Sequence, residues 1–126
     1  MYEIILIRKG NLVFALGAIS PYDGVTNLAG GVVFGNKLYS PRNGEAYNVR
    51  TGEVEYGPGF DCLPIFKTRV KDGKVSVLIP RRIPSKVKPF QGFRDYADTR
   101  KVVVFGGSEA ALACAETLRS LEFTVN

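Results

Sequence analysis

Apolar and polar residues alternate in short runs through the first 80 residues, and turn-forming sequences separate these runs. The β-rich runs at 2–8 and 12–19 flank Lys9-Gly10-Asn11, a sequence typical of a hairpin turn. No amphipathic helical period interrupts them. Seven or eight short strands with this spacing predict a small antiparallel barrel or sandwich. Further hairpin turns are predicted at Gly35-Asn36, at Thr51-Gly52 and at residues 71–74.

The pattern changes after residue 80. Residues 81–100 contain prolines and a glycine and have neither strand nor helix periodicity. The continuously apolar run at 101–105 is typical of a strand buried on both faces of a sheet. A helix with a small-residue packing face follows at 109–122. The fold is therefore predicted to be mainly β, with a β domain at 1–80, a basic linker at 81–100 and a strand–helix extension at 101–126.

The composition is that of a soluble, globular protein. The chain has 126 residues, 45% of them apolar and 23% charged, and no apolar run approaches the roughly 20 residues of a membrane-spanning helix. Cys62 and Cys114 are interpreted as small buried apolar residues, which favours a reducing, intracellular compartment. The acidic Glu3 and the early polar residues fit neither a secretory signal nor a transit peptide, so either nothing targets the chain or its numbering begins at a mature end.

Positive charge is concentrated in one segment. Residues 81–101 contain seven basic and two acidic residues, which accounts for the whole net charge of +5. Three interpretations remain open: a solvated linker, a strap that docks on an acidic protein or lipid surface, and a nucleic-acid contact. The first is the simplest, because the segment lacks regular periodicity.

Residues for catalysis are missing. The chain contains no histidine, so neither a Ser/His/Asp nor a Cys/His arrangement exists. Glu53 and Glu55 alternate on one predicted strand face and are expected to be solvated. The aromatic residues Tyr39, Tyr47 and Tyr56 are expected to pack rather than to stack on bases, because the positive charge lies elsewhere. The sequence therefore predicts a protein that is not an enzyme.

A glycine-rich turn precedes the predicted helix. The run Gly106-Gly107-Ser108-Glu109-Ala110-Ala111 is similar to the G-x-G-x-x-G/A turn that binds a dinucleotide pyrophosphate. Ser108 replaces the second glycine and would crowd a phosphate, and Glu109 would repel it. Gly106, Gly107, Ser108 and Ala111 are therefore interpreted as a vestigial turn of a truncated Rossmann-type unit, with no cofactor expected.

Three segments together resemble one family. AISPYDGVTNL at 18–28 is similar to the first ligand box of Rieske domains, which reads Cys-Pro-His. LYSPRNGEAYNVRTGEVEYGPGFDCL at 38–63 is similar to the second box, Cys-Pro-Trp-His-Gly followed by Thr-Gly and Pro-Gly turns. VVVFGGSEAALACAETLRSLEF resembles the opening of a flavoprotein. This order resembles the apoptosis-inducing-factor-like flavoproteins, ferredoxin-reductase relatives in which a basic linker joins a Rieske domain to an FAD- and NAD-binding part.

The resemblance identifies four cluster-ligand positions at which this chain departs from the family. Ser20 and Tyr22 stand where the family has its first Cys and His, and Ser40 and Asn43 stand where it has its second pair. Hydroxyl and amide oxygens are poor ligands for a soft iron–sulfur core. We therefore expect no metal and no cofactor. We also expect the four side chains to hydrogen-bond partly to one another, because a polar void must be satisfied.

These observations predict a degenerate Rieske-like accessory or scaffolding subunit without catalytic activity. Its expected partners are protein subunits of a larger complex, contacted through the basic linker and the C-terminal strand–helix unit, with no nucleic acid; peripheral contact with an anionic membrane stays open. By resemblance, the setting would be the mitochondrial matrix, in a respiratory-chain or ATP-synthase complex. One alternative is a cofactor-free docking or regulatory module for a separate redox flavoprotein. The other is a nucleotide- or small-ligand-binding protein.

Overall fold

The computed structural model describes residues 2–84, 87–88, 99–121 and 124–125. The chain divides into two compact units, Met1–Lys88 and Pro89–Asn126, and each is described here by itself. The division falls within the segment predicted as a linker, 81–100, but most of that segment lies outside the described residues. The predicted domain boundaries therefore stay a prediction.

The described part of the first unit is built from short antiparallel strands. They are β1 (Ile4–Lys9), β2 (Leu12–Gly17), β3 (Val32–Phe34), β4 (Lys37–Tyr39), β5 (Ala46–Asn48), β6 (Val54–Tyr56), β7 (Ile65–Lys71) and β8 (Lys74–Leu78). One sheet has the order β1-β2-β7-β8 and the other the order β3-β4-β5-β6. A short 3₁₀ helix, Leu28–Gly30, precedes the second sheet.

The tight turns follow the predicted glycine positions. Gly10 and Gly35 have φ values of 61° and 58°, in the left-handed region that glycine enters without steric cost. Asp72 and Gly73 are both left-handed and join β7 to β8. The predicted hairpins at these turns and the pairing of β5 with β6 are therefore confirmed.

The core of the first unit lies between inward-facing residues of the strands and loops. Because side chains alternate along a strand, Ile5 and Ile7 of β1 face the core while Leu6 between them is exposed. The buried cluster consists of Ile7, Leu16, Leu28, Leu38, Tyr47, Val49 and Leu63. This core supports the loops that connect the second sheet.

The second unit contains β9 (Lys101–Val102), α1 (Glu109–Ser120) and β10 (Thr124–Val125). β10 pairs in parallel with β9, as a strand–helix–strand unit requires. The predicted mainly β fold with one C-terminal helix is confirmed. Within the described residues no helix has the length and apolarity needed to cross a membrane.

Two predictions for the second unit were wrong. The strand predicted at 101–105 and expected to be buried on both faces is limited to β9, and Val103 and Phe105 are 59% and 93% exposed. The pairing in the described residues is two residues long, so within them no strand lies opposite the remaining apolar residues. Cys114 is exposed on α1, whereas Cys62 is buried as expected.

Candidate functional site

Three loops hold the positions singled out by the sequence. The first loop (18–27) follows β2, the second loop (40–45) connects β4 to β5, and the third loop (57–60) follows β6. The first is closed by the amide of Ser20 donating to the carbonyl of Thr26 at 2.9 Å. The second is closed by the amide of Ser40 donating to the carbonyl of Glu45 at 2.7 Å. Backbone hydrogen bonds thus shape the first two loops.

Asp23 organises the first loop. Its carboxylate accepts hydrogen bonds from the amides of Val25 at 3.0 Å and Thr26 at 2.9 Å and from the Thr26 hydroxyl. The Thr26 hydroxyl, followed by these amides, lowers the pKa of Asp23 from 3.8 to about 2. Arg42 of the second loop lies 3.8 Å from the same carboxylate, so an ion pair links the first loop to the second.

Three of the four ligand positions now stabilise turns. The side-chain oxygens of Ser20, Ser40 and Asn43 each accept a hydrogen bond from the amide two residues further on, at 3.2, 3.4 and 3.2 Å. This is the geometry of Ser and Asx turns. Among the described residues, the hydrogen bonds of these three side chains run to backbone amides and, for Ser20, to Glu45 and Tyr47, so the expected bonding within the set of four stays a prediction. The fourth position, Tyr22, is partly exposed.

Glu45 occupies the space between the loops. Its side chain is fully buried, and its Oε2 accepts a hydrogen bond from the Ser20 hydroxyl at 2.8 Å. The Ser20 Oγ also lies 3.4 Å from the hydroxyl of Tyr47. Because the single Ser20 proton is donated to Glu45, Tyr47 is the donor in that second bond. The three side chains form a directed chain from Tyr47 through Ser20 to Glu45.

Burial keeps the hydroxyl of Tyr47 protonated, so that it can donate a hydrogen bond. Its removal from water raises its pKa well above the ordinary value of 10.0, and the negative charge of Glu45 adds to the rise. Tyr47 therefore stays a neutral hydroxyl across the usual pH range.

The other oxygen of Glu45 accepts no hydrogen bond of ordinary length from the residues that the structure describes. Among the described side chains, Glu45 Oε1 is the buried polar atom left without a hydrogen bond. It faces Gly59 of the third loop so closely that a Cβ at Gly59 would collide with it. A buried carboxylate oxygen without a donor costs free energy. Glu45 thus contacts the first and third loops from its place in the second.

Sequence reasoning missed Glu45. Ala46 and Tyr47 are both fully buried, and the pairing of β5 with β6 shifts register between them. Strict alternation along this strand therefore does not extend to Glu45. The tight turn at Gly44, with φ 73°, leads directly into it.

Cys62 does not contribute a thiolate to this site. It is buried, and burial raises the pKa of its thiol. Its backbone pairs with Val87, where the amide of Cys62 donates to the Val87 carbonyl at 2.6 Å. In the described residues Cys62 belongs to no cluster of side chains that could hold a metal ion.

The donor set does not fit a [2Fe–2S] cluster. Ser20 already donates one hydrogen bond and accepts two, and Ser40 and Asn43 offer only oxygen or amide atoms. In the part of the chain that the structure describes, no three His, Cys, Asp or Glu side chains come close enough to hold a metal ion. The Oε1 of Glu45 would offer a metal ion only one carboxylate ligand.

The predicted dinucleotide turn has become a helix cap. Ser108 precedes α1, and its hydroxyl accepts a hydrogen bond from the amide of Ala111 at 3.4 Å. Gly106 has a φ of 128°, and a Cβ there would touch the Cβ of Ala111 at 3.6 Å. The Ser108 hydroxyl thus accepts the hydrogen bond of an amide that would otherwise donate to the phosphate of a dinucleotide.

The arrangement of the two antiparallel sheets defines a Rieske-like fold. The chain is similar to a solved chain of the complex of reduced oxygenase and oxidized ferredoxin in carbazole 1,9a-dioxygenase, with 29% identity and a TM-score of 0.56. That likeness covers 60% of this chain and 76% of the other. The Sphingomonas yanoikuyae B1 ferredoxin, 18% identical with a TM-score of 0.51 over 63% of this chain and 87% of that one, supports the fold alone.

Among curated proteins, the chain is distantly similar to apoptosis-inducing factor 3. The Homo sapiens protein is 30% identical and the Mus musculus protein 28% identical, each over 97% of this chain. The chain spans about a fifth of the length of these relatives, since the match covers 21% of each. No protein-family model matches it. The predicted resemblance is confirmed for the Rieske-type fold and for this distant similarity.

Proposed function

We propose that this chain is a Rieske-like component that carries no cluster and acts as a non-catalytic accessory or scaffolding subunit of a larger assembly. The observation that carries the proposal is Glu45. Its carboxylate lies between the loops and bonds to Ser20, the side chain at the first ligand position. Under this proposal, side-chain contacts link the loops that a cluster would otherwise link.

The network around Glu45 favours a structural role over electron transfer. Ser20, Ser40 and Asn43 use their oxygens to accept backbone amides, so the loops keep their shape without a metal. Serine, tyrosine and glutamate side chains do not provide the reversible low-potential couple of an iron–sulfur cluster. What the loops retain is a defined surface, which suits contact with other proteins.

The proposed setting is a mitochondrial respiratory-chain or ATP-synthase complex on the matrix side. This setting rests on analogy with the family that the sequence resembles. The concentration of positive charge at 81–101 supports contact with acidic subunits through this segment.

A second candidate is a cofactor-free docking or regulatory module for a separate redox protein. The similar solved chain belongs to a complex of an oxygenase with a ferredoxin, so a related fold takes part in such docking. Under this candidate the chain would bind its partner reversibly rather than as a permanent subunit.

Native electrophoresis of a gently prepared source extract tests the proposal. Mass spectrometry of the band would identify both this chain and the proteins that migrate with it. We expect a large complex that persists through a second native dimension. Migration of the chain by itself, or release on dilution, would contradict the scaffolding role, and release specifically from a flavoprotein would favour the second candidate.

A further inference from the structure

The β7–β8 hairpin carries unpaired positive charge on one face. Lys67, Arg69 and Lys71 alternate along β7, and Lys74 lies directly opposite Lys71 on β8. All four are exposed, and none forms an ion pair or a side-chain hydrogen bond within the described residues. We call these four side chains the cationic face.

The geometry of the cationic face favours a ligand with regularly spaced negative charges. Residues two apart on a strand are separated by about 7 Å, and directly opposed residues by about 5 Å. Like charges placed directly opposite each other, as Lys71 and Lys74 are, destabilise a hairpin. An arriving set of carboxylates would relieve this repulsion. The turn residue Asp72 adds a single acidic group to the hairpin.

Apolar side chains adjoin the charges at the base of the hairpin. Leu78 lies opposite Lys67 and is 68% exposed, and Ile65 precedes Lys67 by two residues on the same face and is 51% exposed. The phosphate backbone of a nucleic acid offers no apolar surface to cover these side chains. A hairpin that binds a bilayer would insert apolar side chains at its tip. The tip of this hairpin is the charged turn at 71–74. A protein segment with carboxylates and an apolar side chain fits both parts.

We propose that the cationic face is a docking surface for an acidic segment of a partner protein. This inference rests on the proposed function, because it names the chemistry of a subunit that the scaffold would contact. The site consists of residues of β7 and β8, none of which belongs to the segment 81–101 that the sequence analysis singled out. Carboxylates of the partner would lie along β7, and its apolar side chain would cover Leu78.

Binding of a labelled polyglutamate peptide to the full chain tests the charge requirement. We expect Arg69→Glu/Lys71→Glu to weaken binding at least about tenfold at low salt, since two attractions become two repulsions. The matched control Lys37→Glu/Arg42→Glu makes the same change in net charge. Lys37 and Arg42 belong to the other sheet of the first unit and its loops, so we expect less than about a twofold loss. Equal losses in both variants, or no binding by the unaltered chain, would overturn the proposal.

A peptide of the same charge with leucine next to its glutamates tests the apolar part. It should bind more tightly than polyglutamate, and Leu78→Ser should remove the gain. No gain, or hairpin-dependent binding that is tighter to phosphatidylserine vesicles or to a DNA duplex, would overturn the assignment to a protein partner. If the charge-reversed chain fails to fold, Arg69→Gln/Lys71→Gln provides the same comparison. Iron and sulfide in the unaltered chain would refute the proposed function and leave this result unchanged.

Discussion

The hydrogen bond between Ser20 and Glu45 gives the sharpest prediction. Ser20→Ala removes the donor to a fully buried carboxylate whose other oxygen already lacks one. Leaving a buried acceptor without a donor costs up to about 3 kcal/mol. Glu45→Met keeps the volume and removes the carboxylate, so it should cost about 1 kcal/mol through the lost acceptor of Ser20. The free energy of unfolding of the double variant should also lie within about 1 kcal/mol of that of the unaltered chain, because an apolar pair leaves neither a donor nor an acceptor without a partner.

Urea unfolding followed by tyrosine fluorescence and circular dichroism measures these free energies. The coupling between the two substitutions is expected to be about 2 kcal/mol or more, with the double variant more stable than additivity allows. Ser40→Ala is the matched control, because Ser40 holds the equivalent place in the second loop and accepts only the amide of Arg42 at 3.4 Å. Its cost should be about 1 kcal/mol or less. Additive effects, or equal costs for both serine variants, would refute the role assigned to Glu45.

Three other predictions follow from the same loops and from the cysteines. Gly59→Ala should destabilise the chain by about 1–3 kcal/mol through collision with Glu45 Oε1, and Glu45→Ala should abolish this penalty, as urea unfolding would show. The pKa of Asp23 is lowered to about 2, so its stabilising contribution is complete above about pH 4 and disappears as the pH falls through about 2; the difference in unfolding midpoint between the unaltered chain and Asp23→Asn should close over that range. A maleimide should label Cys114 in the native protein and Cys62 only after unfolding, with Cys114→Ser as the control; rapid native labelling of Cys62 would contradict its burial.

The hairpins of the β domain could be predicted because their signals are local. Gly10, Gly35 and Gly73 have the positive φ values that a tight turn requires, and alternation sets the inward face. The strand at 101–105 was predicted too long, because an apolar run shows a capacity for burial but not the presence of a partner strand. Cys114 was misjudged for a related reason: residue type predicts burial only on average.

The site could be predicted only in part. The resemblance to the two Rieske ligand boxes implies the positions Ser20, Ser40 and Asn43, and the structure places them in loops where they accept hydrogen bonds from backbone amides. Glu45 could not be anticipated from motifs, because none of them assigns a role to the residue after Gly44. Its importance depends on the approach of the first and third loops, which is a tertiary contact.

Iron and acid-labile sulfide in the purified full chain test the central claim most directly. The chain would be produced together with iron–sulfur assembly proteins, and visible absorption would be recorded alongside. A matched variant restores the ligands through Ser20→Cys, Tyr22→His, Ser40→Cys and Asn43→His, with Glu45→Ala to clear the space. The account predicts neither iron nor sulfide in the unaltered chain and a Rieske-like spectrum in the variant. Stoichiometric iron and sulfide in the unaltered chain would contradict it.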